Sequence, residues 1–436
     1  MDFTRKKISA DTVFHILIAL ILCLYSTTSQ LINIILPLGI VRIAIIIELV
    51  VILLLAIISY KVNNAKLLIL LIMMSLVYLH NNYYLQIKDF FAILSFISVL
   101  LICYLSYKKI KWLGYTFKIM EYVYLFYAIC TIIFYFMPSF YLGTVVNLFP
   151  GTRDRLIRMY NSGCMAGLTY HYSMNAMFIS VGLVLKVSKL FGQVKKSKKD
   201  IIILVLMIIA LLLTGKRGHI IFVAMSIFIT FYFYLSNNKK SRLFKFIGIV
   251  ILTLFVGSIA ISVVPAFGTF VTRFKETMDA GDITLNRTLF WELALKLFRQ
   301  NPILGIGWSR FQIISADTFN YLAHTHNIYI QLLCETGIVG IIIYGYWMIS
   351  MLIKTINLYK KSRKSKNNIN GKVLFHLTFS LCFQFFFLLY GITGNPLYDK
   401  EMYIPYFIAC AISIYYRKKL KDIINQNNRN IGDINK

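Results

Sequence analysis

Read as apolar and polar positions, the chain is a succession of long hydrophobic runs separated by short charged segments. A window of about 19 residues separates twelve such runs, near 13–35, 40–60, 66–80, 89–106, 118–138, 172–191, 200–214, 217–235, 244–264, 327–350, 373–391 and 402–417. Only helices and closed barrels satisfy their backbone in lipid, and these runs are too continuous for barrel strands. The pattern therefore predicts an all-α polytopic membrane bundle of about twelve transmembrane helices. The expected organisation is nine spans over 1–264, an extracytoplasmic loop over 265–326, three spans over 327–417 and a cytoplasmic tail over 418–436.

Composition narrows the function classes. With 58% hydrophobic and 14% charged residues, a water-soluble enzyme is excluded. The net charge of +29 would suggest a nucleic-acid partner, but 32 of the 46 Lys and Arg fall in connections on one side of the predicted spans. The positive-inside rule assigns that side, with both termini, to the cytoplasm, and so leaves no role for nucleic acid. Arg5, Lys6 and Lys7 before an apolar run resemble a signal peptide, yet no small-residue cleavage site follows, so an uncleaved first span is expected. The seven scattered cysteines form no CxxC pair and read as small buried hydrophobes.

The seventh run, Ile201 to Thr214, has 14 residues, a rise of about 21 Å against a hydrocarbon core of about 30 Å. The turn that follows, Gly215-Lys216-Arg217-Gly218-His219, is expected below the outer surface at the floor of a cavity, where charges face a wet, functional interior. A hairpin whose Lys and Arg snorkel to the interface is the competing reading.

In the large loop, Asn286 is a plausible N-cap for a helix whose apolar face is Leu289, Phe290, Leu293, Leu297 and Phe298, stopped by Asn301-Pro302 and Gly305-Ile306-Gly307. An amphipathic helix on the outer membrane surface is expected. Arg287 stands in its first turn, where the helix dipole disfavours a cation and a bound anion would compensate. His324 and His326 follow at the mouth of the tenth span; their spacing, without a His, Cys or Asp cluster nearby, gives no metal site. Asn327, Gln331 and Glu335 form a polar stripe that either binds a ligand or hydrogen-bonds neighbouring helices.

Arg153, Arg155 and Arg158, with Tyr160, Tyr170 and Tyr172, make a basic and aromatic segment suited to phosphate and sugar. Together the outward pieces carry eleven Lys and Arg against six Asp and Glu, against the topology trend, and so call for an anionic ligand. His15, His80 and His376 read as structural, and the Gly163–Gly167 spacing as outside a clear span; Asp399 and Glu401 could complete the cavity from the last outward turn, against the competing reading of an ordinary solvated turn.

Three stretches taken together resemble the O-antigen ligase and polymerase superfamily, which includes the Wzy-type polymerases of bacterial envelope polysaccharides. They are Thr214-Gly215-Lys216-Arg217-Gly218; Asn286-Arg287 through Phe290-Trp291 with Asn301-Pro302-Ile303-Leu304-Gly305-Ile306-Gly307; and His326-Asn327 with Gln331, Gly337 and Gly340. The resemblance is best over 200–345. It implies a GT-C-like membrane glycosyltransferase that uses polyprenyl-diphosphate-linked glycans at the outer face, with inversion and without metal or cofactor. Arg217 and Arg287 match family arginines associated with the diphosphate, and His326 matches the functional histidine; His324 is an additional imidazole. The expected activity is a polymerase joining lipid-linked repeat units into O-antigen, capsule or exopolysaccharide. Arg217, Arg287 and His326 are its expected catalytic residues. Lys216, Arg153, Arg155, Arg158, His324, Asn327 and Gln331 are expected to bind diphosphate or glycan. Membrane lipid, a chain-length regulator and a flippase are the expected partners. A ligase acting on another acceptor, or a flippase for the lipid-linked glycan, would need much the same features.

Overall fold

The computed structural model describes residues 9–23, 39–86, 90–192, 197–235, 287–364 and 371–434. Among them the fold is all-helical, with no strand. The first half holds α1 (Ala10–Cys23), α2 (Gly39–Ser59), α3 (Ala65–Leu79), α4 (Phe90–Leu105), α5 (Trp112–Phe136), α6 (Arg153–Asn161), α7 (Tyr172–Gly192), α8 (Lys198–Leu213) and α9 (Arg217–Tyr234). The second holds α10 (Arg287–Gln300), α11 (Phe311–Phe319), α12 (Ile328–Lys364), α13 (Gly371–Tyr390) and α14 (Lys400–Ile434). Five of these, α5, α7, α9, α12 and α13, are long and apolar enough to cross a membrane, and four shorter apolar helices lie before α5. The predicted run 244–264 and the predicted cap Asn286 lie outside the described residues. Helix α14 continues to Ile434, through most of the stretch expected as a tail.

Helix α13 is central, packing against α7, α9, α12 and α14. Its Phe379, Cys382, Phe383, Phe386 and Phe387 are fully buried. Small and hydroxyl-bearing side chains let the inner helices approach: a Cβ on Gly182 of α7 would stand 2.7 Å from Tyr124 Cβ, and one on Gly192 2.7 Å from the Gly371 carbonyl oxygen. All seven cysteines are free and buried, as their apolar surroundings predicted. Lys186, one of the cations assigned to topology, is buried and neutralised instead. It pairs with Glu121, and with Asp200 at 2.8 Å, joining α5, α7 and α8.

The least regular element is α12. Gly337 breaks it with φ 63° and ψ −163°, a conformation open to glycine and costly for other residues. The loop 302–309 lies across the break. Ile306 and Gly307 donate their N–H groups to the carbonyls of Cys334 and Glu335 at 3.1 and 2.9 Å, while Ile338 and Val339 donate to Pro302 and Ile303 at 2.9 and 3.2 Å. Helix and loop thus satisfy each other's freed backbone groups, the condition for irregular backbone at this depth. Glycine is required on both sides: a Cβ on Gly305 would stand 2.3 Å from the Glu335 carbonyl carbon, and one on Gly337 2.3 Å from the Ile303 oxygen.

The predicted amphipathic helix exists, but its apolar face covers protein. Phe290, Leu293, Ala294 and Leu297 of α10 pack with Ile330 and Cys334 of α12 and with Phe311 and Ile314 of α11. Leu289, expected on that face, is exposed. The face is turned by Ala294, small enough to be fully buried against α12.

Candidate active site

Helix α8 has 16 residues, about 24 Å at about 1.5 Å each. It ends at a turn in which Thr214 donates to the Leu211 carbonyl and accepts from Lys216 N–H. Gly215 takes φ 65° there, and Lys216 and Arg217 open α9 from half-buried positions. The segment after α6 folds onto this turn: Met165 N–H donates to the Leu213 carbonyl at 3.1 Å, and a Cβ on Gly215 would meet Cys164 Sγ at 3.0 Å. Gly163 and Gly167, both with positive φ, shape that segment as turn residues.

Helix α12 begins just after the two histidines. Asn327 caps it, its Oδ1 accepting from Tyr329 and Ile330 N–H at 3.0 and 3.2 Å. Thr325 is anchored on three sides: its N–H donates to Gln331 Oε1, its carbonyl accepts from Trp291 Nε1 of α10, and its hydroxyl bonds the Asn327 backbone. His326 stands at the tip of this turn with φ 54°, a left-handed conformation that costs a non-glycine residue about 1–3 kcal/mol and is held by its surroundings. Its side chain reaches solvent although protein surrounds it, as in a recess.

Gln331 and Asn327 therefore position the imidazoles, and the polar stripe continues inward as a network. The Gln331 amide oxygen is committed to Thr325, so its Nε2 faces His324 Nδ1 at 3.2 Å and Glu335 Oε1 at 2.8 Å. His324 Nδ1 thus accepts, leaving the proton of the neutral ring on Nε2. Burial pushes the His324 pKa down to about 4, which favours that neutral form. Glu335, fully buried, accepts from Ser309 and Phe311 N–H at 2.7 and 3.0 Å and from the Tyr398 hydroxyl at 2.6 Å. Its carboxylate caps α11 and ties the loop to α12.

The electrostatics gather these parts around one recess. The His326 imidazole is pushed down to about 3 by burial, and further by the positive charges of Arg287 and Lys216 and by His324 and His171. Burial and then Arg217 disfavour the charged form of Arg287. His171 is lowered to about 3 by burial, Lys216 and Arg155. Its Nδ1 accepts from Ser173 N–H at 3.1 Å, its ring stacks on Tyr172 at 4.6 Å, and Lys216 Nζ stands 5.6 Å from the Tyr172 ring centre. Helices α7, α9 and α12 begin here, so three positive dipole ends reinforce the cations.

Of the predicted side chains, Lys216, Arg217, Arg287, His324, His326 and Arg155 are within electrostatic reach of this recess. Arg153 and Arg158 are on exposed faces of α6, and Arg153 is tied to Asn147 and Asp154. One residue is an addition. His171 precedes a helix N-terminus as His326 does, the one signal that could have marked it. Asp399, which the sequence offered either to the cavity or to a solvated turn, is half-buried, and Glu401 beside it is 3% exposed. Burial and Glu401 push the Asp399 carboxyl up to about 7, with Lys216 opposing. Among the described residues, no three His, Cys, Asp or Glu side chains group as metal ligands.

This arrangement of cations at the start of α9 and α10, followed by His326 before α12, falls within one recognised segment. Residues 202–345 match the O-antigen ligase family. No curated protein matches the chain. The ligase-family segment runs from within α8 to the first half of α12, and it supports a resemblance to the O-antigen ligase and polymerase superfamily. With five described helices long and apolar enough to cross a membrane, the chain is a multi-pass membrane protein that is similar over this segment to the O-antigen ligase family. His171, Arg155 and Asp399 bring charge and proton-transfer groups to the recess from outside the ligase-family segment.

Proposed function

We propose that the protein is a polysaccharide polymerase that joins polyprenyl-diphosphate-linked repeat units by inverting glycosyl transfer, at the outer face of a bacterial cytoplasmic membrane with both termini inside. The observation that carries this reading is the meeting of Lys216, Arg217 and Arg287 with three helix N-termini in one recess beside a neutral imidazole. Such a basin suits a diphosphate leaving group, whose charge grows as the bond to the anomeric carbon breaks. Two guanidinium groups and an ammonium take the role a divalent ion plays in other enzymes.

In this reaction a hydroxyl of the terminal sugar on one lipid-linked repeat attacks the anomeric carbon of the lipid-linked growing chain. The new C–O bond forms as the bond to the diphosphate oxygen breaks, and the bonding pair leaves with the diphosphate. The hydroxyl proton passes to His326, or to Asp399. With the recess empty, His326 is a weak base; a bound diphosphate offsets the cations that depress it and raises its affinity for the proton. Asp399 is already matched to neutral pH.

That contrast yields a pH signature. In the free enzyme His326 is neutral throughout pH 5–8, so kcat/KM has no imidazole step there; Asp399 loses its proton near pH 7, so kcat/KM rises through that pH if its carboxylate is the base. Asp399→Asn is expected to abolish the rise. An unchanged step near pH 7 in the variant would remove Asp399 from the chemistry.

The second reading is a ligase, favoured by the match to the O-antigen ligase family. Purified protein given a single lipid-linked repeat should build a ladder of products on a gel. Product that appears only when a different acceptor is added would replace the polymerase by the ligase, and glycan translocation without product would replace both by a flippase.

A further inference from the structure

At the end of the bundle opposite the recess lies a second basic cavity, of about 470 Å³. Lys66 at the start of α3, Lys354 of α12, and Arg417 and Lys418 of α14 line it, and its lining holds no Asp or Glu. Lys354 and Arg417 are close enough for their charges to act on each other. Among the described residues, Asp422 alone brings a carboxylate to one of these cations, at 4.0 Å from Lys418 and on the same helix. Lys354 Nζ has the Ser350 hydroxyl at 3.4 Å, and Lys418 Nζ lies 4.9 Å from the Tyr107 ring centre. These contacts orient two ammonium groups and neutralise neither.

The other wall is apolar. Leu70 stands one turn along α3 from Lys66, and Tyr346, 60% exposed, stands about 12 Å along α12 from Lys354. Met351 and Ile414 complete a surface that leads from the cations toward the middle of the bundle. A hydrated inorganic anion would satisfy the cations and leave this wall empty. An amphiphile with an anionic head and an acyl chain covers both.

We propose that this cavity binds an anionic phospholipid of the inner leaflet, its phosphate held among Lys66, Lys354, Arg417 and Lys418 and an acyl chain lying along Leu70, Met351 and Tyr346. Basic pockets between membrane helices on the cytoplasmic side are suited to such head groups, and a zwitterionic lipid would bring its own cation against the lysines. The lipid would brace α3, α12 and α14, and α12 carries the Asn327 cap of the candidate active site at its other end.

The test uses the full chain purified in detergent, with lipid retention counted by native mass spectrometry. Wild-type protein should retain phosphatidylglycerol in preference to phosphatidylcholine and melt at a higher temperature in its presence. Lys354→Gln with Arg417→Gln should lower that retention by roughly 10- to 30-fold, while melting in phosphatidylcholine stays as in wild type. If that double variant fails to fold, Lys66→Gln with Lys418→Gln replaces it with the same expectation. No preference for phosphatidylglycerol in wild type, or undiminished retention in a folded double variant, would overturn the proposal. Equal protection by inorganic phosphate alone would overturn the lipid assignment.

Discussion

Arg287→Ala is expected to lower the turnover of purified protein by about 10²–10³-fold, the usual cost of losing one preorganised group that stabilises charge in a transition state. The guanidinium sits where its own fold disfavours it: half-buried, with Arg217 of the same sign in reach. Removing it should therefore leave the empty protein as stable or more stable. Arg287→Lys should restore only part of the rate, because a point charge does not reproduce the bidentate fork. Initial rates on a lipid-linked repeat, with melting curves of the same preparations, test both halves. Wild-type turnover in Arg287→Ala would leave the basin without its proposed role. Arg217→Ala should behave in the same way, since Arg217 opens α9 at the same recess.

Glu335→Ala should destabilise the fold by about 3–5 kcal/mol, as loss of one partner from a buried charged network does. The carboxylate accepts from two donors at each oxygen: Phe311 N–H and Gln331 Nε2 at Oε1, Ser309 N–H and the Tyr398 hydroxyl at Oε2. Alanine strands all four. Glutamine is no remedy, because its amide nitrogen would face two of those donors. Both variants should loosen the loop 302–327 from α12 and carry His324 and His326 with it. Hydrogen exchange of the Ser309 and Phe311 amides reports the loss directly, and protection equal to wild type in Glu335→Ala would contradict this account.

How much of this was legible in the sequence depends on the range of the interaction. Apolar runs mark most helices, because burial in lipid acts on each residue separately. The break after Thr214 and the unfavourable place of Arg287 are also local, readable from the length of one run and the polarity of one helix end. The meaning of Gly305, Gly307 and Gly337 is different. Their positions are visible, but the interlock of loop and helix is made of backbone hydrogen bonds between residues about thirty apart, and backbone groups carry no sequence signal. Asp399 was ambiguous: Asn395-Pro396 and Lys400 have the composition of a solvated turn, and the packing of α14 against α13 is what draws it inward. The apolar face of α10 was assigned by periodicity alone, and periodicity does not say whether the surface it meets is lipid or protein.

The dipole ends at the recess have one further consequence. They belong to the backbone and do not titrate, so the attraction they supply persists after the reaction as it did before. On the proposed reaction, the terminal phosphate of the carrier gains an ionisable oxygen when the glycan leaves, and the spent carrier is more anionic than the substrate it came from. The cations and dipole ends would then attract the by-product more strongly than the substrate's own diphosphate. On the proposed reaction, escape of the carrier limits the rate of successive additions, and the supply of growing chains depends on how quickly the surrounding membrane draws that carrier away.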